Sequence, residues 1–428
     1  MESAREAEPA GKTARANLWK ALGPGILVAC AAVGGSHLVW STRAGAEFGW
    51  SLVGLVLLAN LFKFPFFLYG QRYTAATGES LLTGYYRHGA VFVWIFLLFN
   101  ILTGTINVAG VAMLSAALFA GYGLTALPVA QLTVLLVIFC SLMLLGGQYR
   151  FLDGFAKVTI AVLGLSTLLA VGFALFNYTA PPPDFRAPSP WTLASFAFLI
   201  GLLGWMPAPV DLSAWSSLWM FSRQKQTGHF ATPRETAVDF YLGYVSAVFL
   251  AVVFLALGAL VMHGTGISFA ESGIGFSAQL VQLYTETIGD WSRLLILSAA
   301  FVTMFSTTMT CIDGYPRALA ACCSLIGHCD VERFAALQRF WVVAVAGSAC
   351  LVVLFFVQNL VQLLTFAAVA SFLTSPVLAY INYKVMNGPN VPRHHRPGRL
   401  LKLLSWSGLV FFGLMTAGYL YVLLFYGG

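Results

Sequence analysis

Long apolar stretches, separated by short polar connections, make up most of this chain. A transmembrane helix needs about 20 mainly apolar residues, and these stretches are close to or above that length. The pattern therefore predicts an all-α membrane protein with about eleven transmembrane helices. We number the predicted spans 1 to 11 in chain order, and they cover about residues 22–42, 50–69, 91–119, 128–146, 156–177, 191–221, 239–263, 291–325, 339–357, 360–386 and 402–426.

The overall composition supports this class and excludes several others. Hydrophobic residues make up 59% of the chain and charged residues 9%, whereas about a quarter of the residues of a soluble globular domain are charged. The net charge of +7 does not indicate a nucleic-acid partner, because the basic residues lie mostly in short loops between spans. No nucleotide-binding loop or nucleophile elbow is present in the sequence, so we expect neither an enzyme nor a bound cofactor.

Basic residues are distributed unequally between the two sets of loops. If the N-terminus is cytoplasmic, the cytoplasmic loops hold most of them, and the outer loops hold little beyond Arg43, Arg186 and Arg293. Because short cytoplasmic loops carry an excess of Lys and Arg, this asymmetry predicts a cytoplasmic N-terminus and an outer C-terminus. We expect a plasma (inner) membrane of bacterial type, with the lipid bilayer as a partner and a monomer as the assembly.

We expect one transmembrane domain over residues 21–428, preceded by a polar cytoplasmic tail at residues 1–20. The tail has no short apolar core followed by a small-residue cleavage site, so it does not have the pattern of a signal peptide. If the chain contains two five-helix repeats, the first covers about residues 21–178 and the second about 190–386. An extra helix at about 402–426 then follows.

The centre of span 6 is interrupted by residues 204–211, with the sequence GWMPAPVD. Pro207 and Pro209 lack an amide hydrogen, and a proline inside a helix costs about 3 kcal/mol. Asp211 adds a carboxylate, which costs roughly 2.5–3.5 kcal/mol at mid-bilayer. Freed backbone groups are tolerated at that depth only where they are buried in protein or line a wet cavity. We therefore predict a broken helix facing a solute pathway, and the alternative is a proline kink whose acid pairs with a neighbouring helix.

Span 1 contains its own interruption at Gly34 and Gly35, followed by Ser36 and His37. Each glycine weakens a helix by about 1 kcal/mol relative to alanine, and the two residues that follow offer polar groups at mid-span. Spans 1 and 6 hold equivalent positions if the chain consists of two five-helix repeats. Interrupted spans at matching positions in two halves indicate the central binding site of a secondary transporter.

Four motifs in this order resemble the natural-resistance-associated macrophage protein (Nramp) family of metal transporters. They are Gly23-Pro24-Gly25, residues 44–50 (AGAEFGW), Met206-Pro207 and residues 306–310 (STTMT). The resemblance implies a leucine-transporter-like fold, in which two inverted repeats of five helices contribute broken helices 1 and 6. It also implies the usual activity of the family, which is uptake of a divalent metal cation coupled to protons.

The chain departs from the family pattern at the positions that bind the metal. The span-1 motif of the family, Asp-Pro-Gly-Asn, corresponds here to residues 34–37 (GGSH), so that the acid is missing and an imidazole replaces the amide. Ala208 and Ser213 replace the two histidines of span 6. The proton-carrying acid of span 3 has no clear equivalent, and Asn107 lies in its neighbourhood. The resemblance is therefore to a divergent branch, and it does not identify the substrate or the coupling ion.

The candidate substrate-binding residues are the polar and flexible positions at the two breaks, together with one further acid: Gly34, Gly35, Ser36, His37, Met206, Ala208, Asp211 and Asp313. The imidazole of His37, the thioether of Met206 and the carboxylate of Asp211 are the candidate metal ligands, since transition metals accept such groups. For Asp313 the alternative is an ion pair with Arg317, one helical turn later.

The coupling or gating candidates are Ser306, Thr307, Asn107 and Arg317. A proton would need a titratable group such as His37, Asp211 or Asp313, whereas hydroxyls such as those of Ser306 and Thr307 could coordinate sodium. The sequence leaves both coupling ions open. We also interpret Lys63, in span 2, as a lysine that extends its amine to the membrane surface. For Glu79, after the inner end of span 2, we favour a helix cap, and the alternative is a part in an inner gate.

Two functions follow from these residues. The first is an ion-gradient-driven transporter of a metal cation, most simply a divalent one, working by alternating access. The alternative is a transporter of a small organic solute, such as an amino acid or an organic cation, for which the glycine pair of span 1 leaves room and offers exposed amides. The transported ion or solute and the coupling ion are the partners that both functions require.

Overall fold

The computed structural model describes residues 18–146, 149–176, 178, 181–266, 269–270, 273–355 and 359–426. Within these ranges the secondary structure is helical, and no strand is present. Each predicted span contains helix, and the helices are Pro24–Ala32, Ser36–Ser41 and Thr42–Phe48 in span 1, Val53–Thr77 in span 2, Ala90–Ala120 in span 3, Val129–Leu145 in span 4, Tyr149–Phe176 in span 5, Leu193–Trp205 and Leu212–Thr227 in span 6, Pro233–Val261 in span 7, Arg293–Gly327 in span 8, Val331–Phe355 in span 9, Leu360–Met386 in span 10 and Arg399–Tyr426 in span 11.

The remaining helices are short or lie between spans. They are Gly49–Leu52, Leu81–His88, Gly273–Ile288, Asp290–Ser292 and Arg393–His395. In the part of the chain that the structure describes, seven helical segments are long and apolar enough to cross a membrane, and three shorter apolar helices accompany them. The prediction of an all-α membrane protein with broken helices 1 and 6 is confirmed.

Both broken spans consist of two half-helices with a short irregular segment between them. Span 1a (Pro24–Ala32) is followed by span 1b (Ser36–Phe48), which begins as a π-helix over Ser36–Ser41. Span 6a (Leu193–Trp205) is followed by span 6b (Leu212–Thr227). Local sequence accounts for both interruptions, because glycine weakens a helix and proline cannot donate to its hydrogen-bond ladder.

The broken spans lie among the most closely packed helices of the protein. Span 8 packs along span 3 and also contacts spans 1a and 6b, while span 10 packs along spans 3 and 6a. Span 7 contacts both halves of span 1 and span 2. Span 11 contacts spans 2, 6a and 10, as expected for a helix added to a core of ten.

The carboxylate of Asp239, in span 7, holds the N-terminus of span 1a. Its two oxygens accept hydrogen bonds from the amides of Gly23 at 2.9 Å and Gly25 at 2.5 Å. A carboxylate at a helix N-terminus satisfies amides that have no partner within the helix and interacts favourably with the helix dipole. Gly25 and Gly243 allow spans 1a and 7 to approach closely here, since a side chain on either one would meet the backbone of the other helix.

We expect Asp239→Ala to lower the free energy of unfolding by roughly 2–4 kcal/mol, because two charge-assisted hydrogen bonds at a buried helix end are lost. The measurement is thermal unfolding of the purified protein in detergent. Glu47→Ala is the matched control, because Glu47 is a partly exposed acid that forms an ion pair with Arg43, four residues earlier, and such pairs contribute about 0.3–0.5 kcal/mol. Equal melting temperatures for the two variants would contradict the role given to Asp239.

Glu79 does not cap a helix. The helix Leu81–His88 begins at Ser80, whose hydroxyl accepts a hydrogen bond from the amide of Thr83. Glu79 instead forms an ion pair with Arg87, and the hydrogen bond from that guanidinium lowers the pKa of its carboxyl. The sequence interpretation was wrong because Ser80, the next residue, is an equally good capping residue and occupies the capping position.

Candidate functional site at the two helix breaks

The breaks of spans 1 and 6 meet at one small cavity, which we call the central cavity. Its volume is about 30 Å³, which is enough for one or two water molecules. Spans 3 and 8 complete its wall. The polar or flexible residues that line it are Gly35, Ser36, Asn107, Thr307, Cys311 and Tyr315, and its apolar wall includes Ala31, Ala32, Val111, Trp205, Pro207, Ala208, Pro209, Leu212 and Trp215.

The break in span 1 is short and is held by its own backbone. The helix ends at Ala32 with Val33 as its C-cap, and the amide of Gly34 donates to the carbonyl of Ala32 at 2.8 Å. The chain turns helical again at once, since the amide of His37 donates to the Gly34 carbonyl at 3.1 Å. The glycines permit close contact with other spans, because a side chain at Gly34 would collide with Thr307 and one at Gly35 with Trp205. Thr307 and the indole of Trp205 therefore take the space that the two glycines leave.

The break in span 6 leaves several carbonyl oxygens without a helical partner. Pro207 and Pro209 have no amide hydrogen to donate to the preceding turn, and the peptide bond between Met206 and Pro207 is cis. The helix resumes at Leu212, whose amide donates to the Pro209 carbonyl at 3.3 Å. Freed carbonyls at this depth need donors from elsewhere in the protein.

Lys63 supplies the donor. This lysine of span 2 is fully buried, and its amine donates to the carbonyl oxygens of Gly204 at 2.7 Å and Ala208 at 2.9 Å. The charge lies at the C-terminal end of span 6a, where the helix dipole favours a cation. Our interpretation of Lys63 as a lysine that reaches the membrane surface was therefore wrong. Its amine holds the break of span 6 together.

Asp211 places a carboxyl group at the other side of the same break. It directly precedes span 6b, so it lies at the end of that half-helix where the dipole favours an anion. Its side chain is buried, and one oxygen, Oδ1, has no hydrogen-bond partner among the described residues. The carboxyl interacts with the Tyr315 hydroxyl and, through space, with the Lys63 amine. The break thus contains an amine and a carboxyl group, each at the helix end where the dipole favours its charged form.

Asn107 connects three spans at the wall of the cavity. Its side-chain oxygen accepts a hydrogen bond from the indole nitrogen of Trp205 at 3.1 Å, which fixes the orientation of the amide. Its nitrogen donates to the hydroxyl of Tyr315 at 2.6 Å and to that of Ser371 at 3.1 Å. Tyr315 therefore accepts from Asn107, and its own hydroxyl proton remains available to another acceptor. The Asn107 network joins span 3 to spans 6a, 8 and 10.

His37 lies outside the central cavity. Nε2 of its ring is 2.8 Å from the carbonyl oxygen of Ala247 in span 7, and Nδ1 is 2.6 Å from the Ser36 hydroxyl and 3.0 Å from the Ala32 carbonyl oxygen. The Ala247 carbonyl can only accept, so Nε2 is the donor in that contact, and the Ser36 hydroxyl itself donates to the Ala32 carbonyl. Both nitrogens are thus engaged between spans 1 and 7, and neither faces the cavity.

Met206 and Asp313 also lie away from the cavity wall. The sulfur of Met206 is buried, 4.0 Å from the hydroxyl of Ser41. Asp313 forms an ion pair with Arg317, with contacts of 2.5 and 3.1 Å, and accepts a hydrogen bond from the indole of Trp219 at 2.9 Å. The structure thus contains the ion pair that was the alternative to substrate contact for Asp313.

The two hydroxyl candidates of span 8 differ in their surroundings. Thr307 lines the cavity, and its hydroxyl donates to the carbonyl of Cys30 in span 1a at 3.1 Å. The hydroxyl of Ser306 is buried and has no hydrogen-bond partner among the described residues. Of the residues predicted from the sequence, the structure brings five to the cavity wall, and these are Gly35, Ser36, Asn107, Ala208 and Thr307.

The donors that face the cavity are neutral. They are the hydroxyls of Ser36, Thr307 and Tyr315, the Asn107 amide and the thiol of Cys311. Within the residues that the structure describes, no three side chains of His, Cys, Asp or Glu come close enough to hold a metal ion. Sequence reasoning did not single out Tyr315 or Cys311 for this wall. A signal was available in the sequence: Cys311 and Tyr315 follow Thr307 by four and eight residues, and this spacing places all three on one face of a helix.

The profile of the family described as natural resistance-associated macrophage protein-like matches residues 25–422 of the chain. The chain belongs to the Nramp family. It is 41% identical over 396 residues to an uncharacterized protein, PM0681, of Pasteurella multocida, covering 91% of this chain and 89% of that protein. It is 26% identical over 265 residues to the divalent metal cation transporter MntH of Mesorhizobium japonicum, covering 58% of this chain and 56% of that protein.

Solved structures show the same fold in this Nramp protein and in its neighbours. A manganese transporter of Eremococcus coleocola superposes with a TM-score of 0.66 at 15% identity, over 97% of this chain and 88% of that one. MhsT, solved in complex with L-phenylalanine, superposes with a TM-score of 0.60 at 13% identity, over 92% of this chain and 98% of that one. The protein is therefore an integral membrane transporter of the Nramp family.

Proposed function

We propose that this protein is a secondary transporter that moves a metal cation, most simply a divalent one, through the central cavity by alternating access. Family membership supports the proposal, as do the metals named for two of its relatives, a divalent metal cation transporter and a manganese transporter. The observation that carries it is the size of the cavity. At about 30 Å³ in this conformation, it has room for a single cation with one or two water molecules.

The neutral cavity wall determines how such a cation is held. Hard divalent cations accept neutral oxygen ligands from carbonyls and hydroxyls, although carboxylates bind them more strongly. Ser36, Asn107 and Thr307 supply such oxygens, and the thiol of Cys311 offers a softer donor. The nearest carboxyl group, that of Asp211, reaches the wall through Tyr315. We therefore expect weaker metal binding than a site with two or more carboxylates provides.

Thr307→Val is expected to weaken cation binding at least fivefold, because the substitution keeps the size of the side chain and removes an oxygen from the cavity wall. The measurement is a titration of purified protein with Mn²⁺, Fe²⁺ and Mg²⁺. Thr310→Val is the matched control, since the Thr310 hydroxyl is buried in the same helix and donates only to the Ser306 carbonyl at 2.7 Å. Equal affinities for the two variants would exclude Thr307 as a ligand.

The neutral wall also favours a second candidate, a small organic solute. MhsT, which shares the fold, was solved with L-phenylalanine, and a solute without a large charge needs no acidic ligand. Binding assays with the three metals and with amino acids on the wild-type protein separate the two candidates. Saturable organic binding, with no metal binding from micromolar to millimolar concentrations, would replace our first choice.

The driving ion belongs to the same proposal and is either a proton or sodium. Asp211 and Lys63 are the titratable groups at the break of span 6, and the unpartnered hydroxyl of Ser306 lies next to Thr307 in span 8. Uptake into proteoliposomes under a pH gradient and under a sodium gradient distinguishes the two. We further assign the protein to a bacterial-type inner membrane as a monomer, with a cytoplasmic N-terminus and an outer C-terminus, on the distribution of basic residues.

A further inference from the structure

A second pocket, distant from the two breaks, lies where the end of span 2, the start of span 7 and the loop between spans 10 and 11 meet. Its volume is about 260 Å³. Arg72, Arg234 and His395 line it, together with Thr236 and the apolar or aromatic residues Leu68 and Tyr241. We call it the basic pocket. It opens on the membrane face that the loop charges assign to the cytoplasm.

The two arginines of the basic pocket carry charge that the protein does not neutralise. Arg234 forms no ion pair with any described residue, and Arg72 makes one long contact, 3.4 Å, with the carbonyl oxygen of Arg396. Two acidic residues lie nearby, but each already accepts hydrogen bonds from backbone amides. Asp239 holds the N-terminus of span 1a, and Glu235 accepts from the backbone of Thr232 at 2.8 Å within a capping box.

A buried hydroxyl adds an unused donor to the pocket. Thr236 is 4% exposed, and its Oγ1 has no hydrogen-bond partner among the described residues. Such a group costs free energy unless a ligand or water satisfies it. Thr236 also lies in the first turns of span 7, whose dipole attracts anions to this end of the helix.

The third basic side chain of the pocket, that of His395, differs from the two arginines in its charge. Burial lowers the pKa of the His395 ring, and the neighbouring His394 and Arg72 lower it further. The two arginines therefore supply the permanent positive charge of the pocket, and the ring can donate a hydrogen bond to an anion held between them.

The apolar lining of the pocket favours one kind of anion. Leu68 and Tyr241 line the same pocket as the arginines, and Tyr241 is 46% exposed on a helix long and apolar enough to cross a membrane. A phosphate at the arginines, with acyl chains along this apolar side, matches a phospholipid better than free phosphate. We infer that the basic pocket binds the phosphate headgroup of an anionic phospholipid through Arg72, Arg234 and the Thr236 hydroxyl.

Native mass spectrometry of the full chain tests this inference, after exchange into mixed micelles that contain equal amounts of phosphatidylglycerol and phosphatidylcholine. We expect the wild-type protein to retain one phosphatidylglycerol more tightly than the rest. Arg72→Gln with Arg234→Gln should weaken that retention roughly tenfold or more, since each arginine near an anionic headgroup contributes to binding. Arg393→Gln is the matched control, because Arg393 is exposed in the same loop but does not line the pocket.

Thr236→Val tests the hydroxyl separately and covers the case in which the double variant does not fold. It should weaken retention while the protein stays folded, because valine has nearly the shape of threonine. Three results would overturn the inference: equal retention by wild type and both pocket variants, equal loss in Arg393→Gln, or no preference for phosphatidylglycerol over phosphatidylcholine. Displacement of the lipid by millimolar inorganic phosphate would assign the pocket to free phosphate instead. None of these outcomes depends on the transported substrate.

Discussion

Lys63→Met is expected to lower the free energy of unfolding by about 3–5 kcal/mol and to reduce uptake to background. Methionine fills much of the space of the lysine chain but donates no hydrogen bond. The carbonyls of Gly204 and Ala208 would then lack the donor that now lies at 2.7 and 2.9 Å. Asp211 would also lose the nearest cation, and a buried charge without compensation is strongly destabilising.

The measurements are thermal unfolding in detergent and uptake into proteoliposomes. Lys384→Met is the control, because Lys384 is an exposed lysine near the end of span 10 that lies over the ring of Phe92. It should change the free energy of unfolding by less than about 1 kcal/mol.

A double variant tests whether Lys63 and Asp211 act as a pair. If they do, Lys63→Met with Asp211→Asn should be more stable than Lys63→Met alone, because the second substitution removes the uncompensated carboxylate. The difference from additivity measures the coupling between the two side chains. Strictly additive effects, or a Lys63→Met variant that melts with the wild type, would show that the amine does not hold the break of span 6.

The positions of the two breaks could be predicted because their causes are local. Pro207 and Pro209 remove hydrogen-bond donors from the helix that contains them, and Gly34 and Gly35 weaken a helix wherever they stand. The pair of Asp313 and Arg317 is local in the same sense. Four residues separate them, which is one helical turn, so the sequence suggested the ion pair as one of two readings.

The partners of the buried polar groups could not be predicted, because they come from distant parts of the chain. Lys63 binds carbonyls 141 and 145 residues away, and a lysine in an apolar helix has the same local pattern whether it is buried or reaches the membrane surface. His37 follows the same rule, since the carbonyl that binds its Nε2 is 210 residues away. The residues next to His37 in the sequence indicated a polar group at mid-span, but they did not indicate the direction in which its ring points.

The nature of the cavity wall also depended on packing. The sequence offered His37, Met206 and Asp211 as metal ligands, and the structure brings none of the three side chains to the wall of the central cavity. Tyr315 and Cys311 reach it instead from span 8, because span 8 packs between spans 1a, 3 and 6b. Whether the three side chains contact a substrate in another conformation of the transporter stays a prediction.

Asp211→Asn is expected to reduce uptake at least tenfold, equivalent to roughly 1.4 kcal/mol, while the protein remains folded. Asparagine has almost the same shape, so packing at the start of span 6b is preserved. The substitution removes the negative charge that faces Lys63 and Tyr315, and with it the group that attracts a cation toward a wall of neutral donors. The measurement is the initial rate of cation uptake per folded protein, quantified by size-exclusion chromatography.

Asp313→Asn is the matched control for this substitution. Asp313 is also a buried acid in a span, but Arg317 and Trp219 occupy its carboxylate. Its substitution should lower the melting temperature, because Arg317 loses its partner, and should leave the half-saturating cation concentration unchanged in the protein that stays folded. If Asp211→Asn takes up cations as fast as the wild type, the carboxyl at the break of span 6 has no part in transport. If both variants lose uptake in proportion to lost stability, the effect of Asp211 is structural.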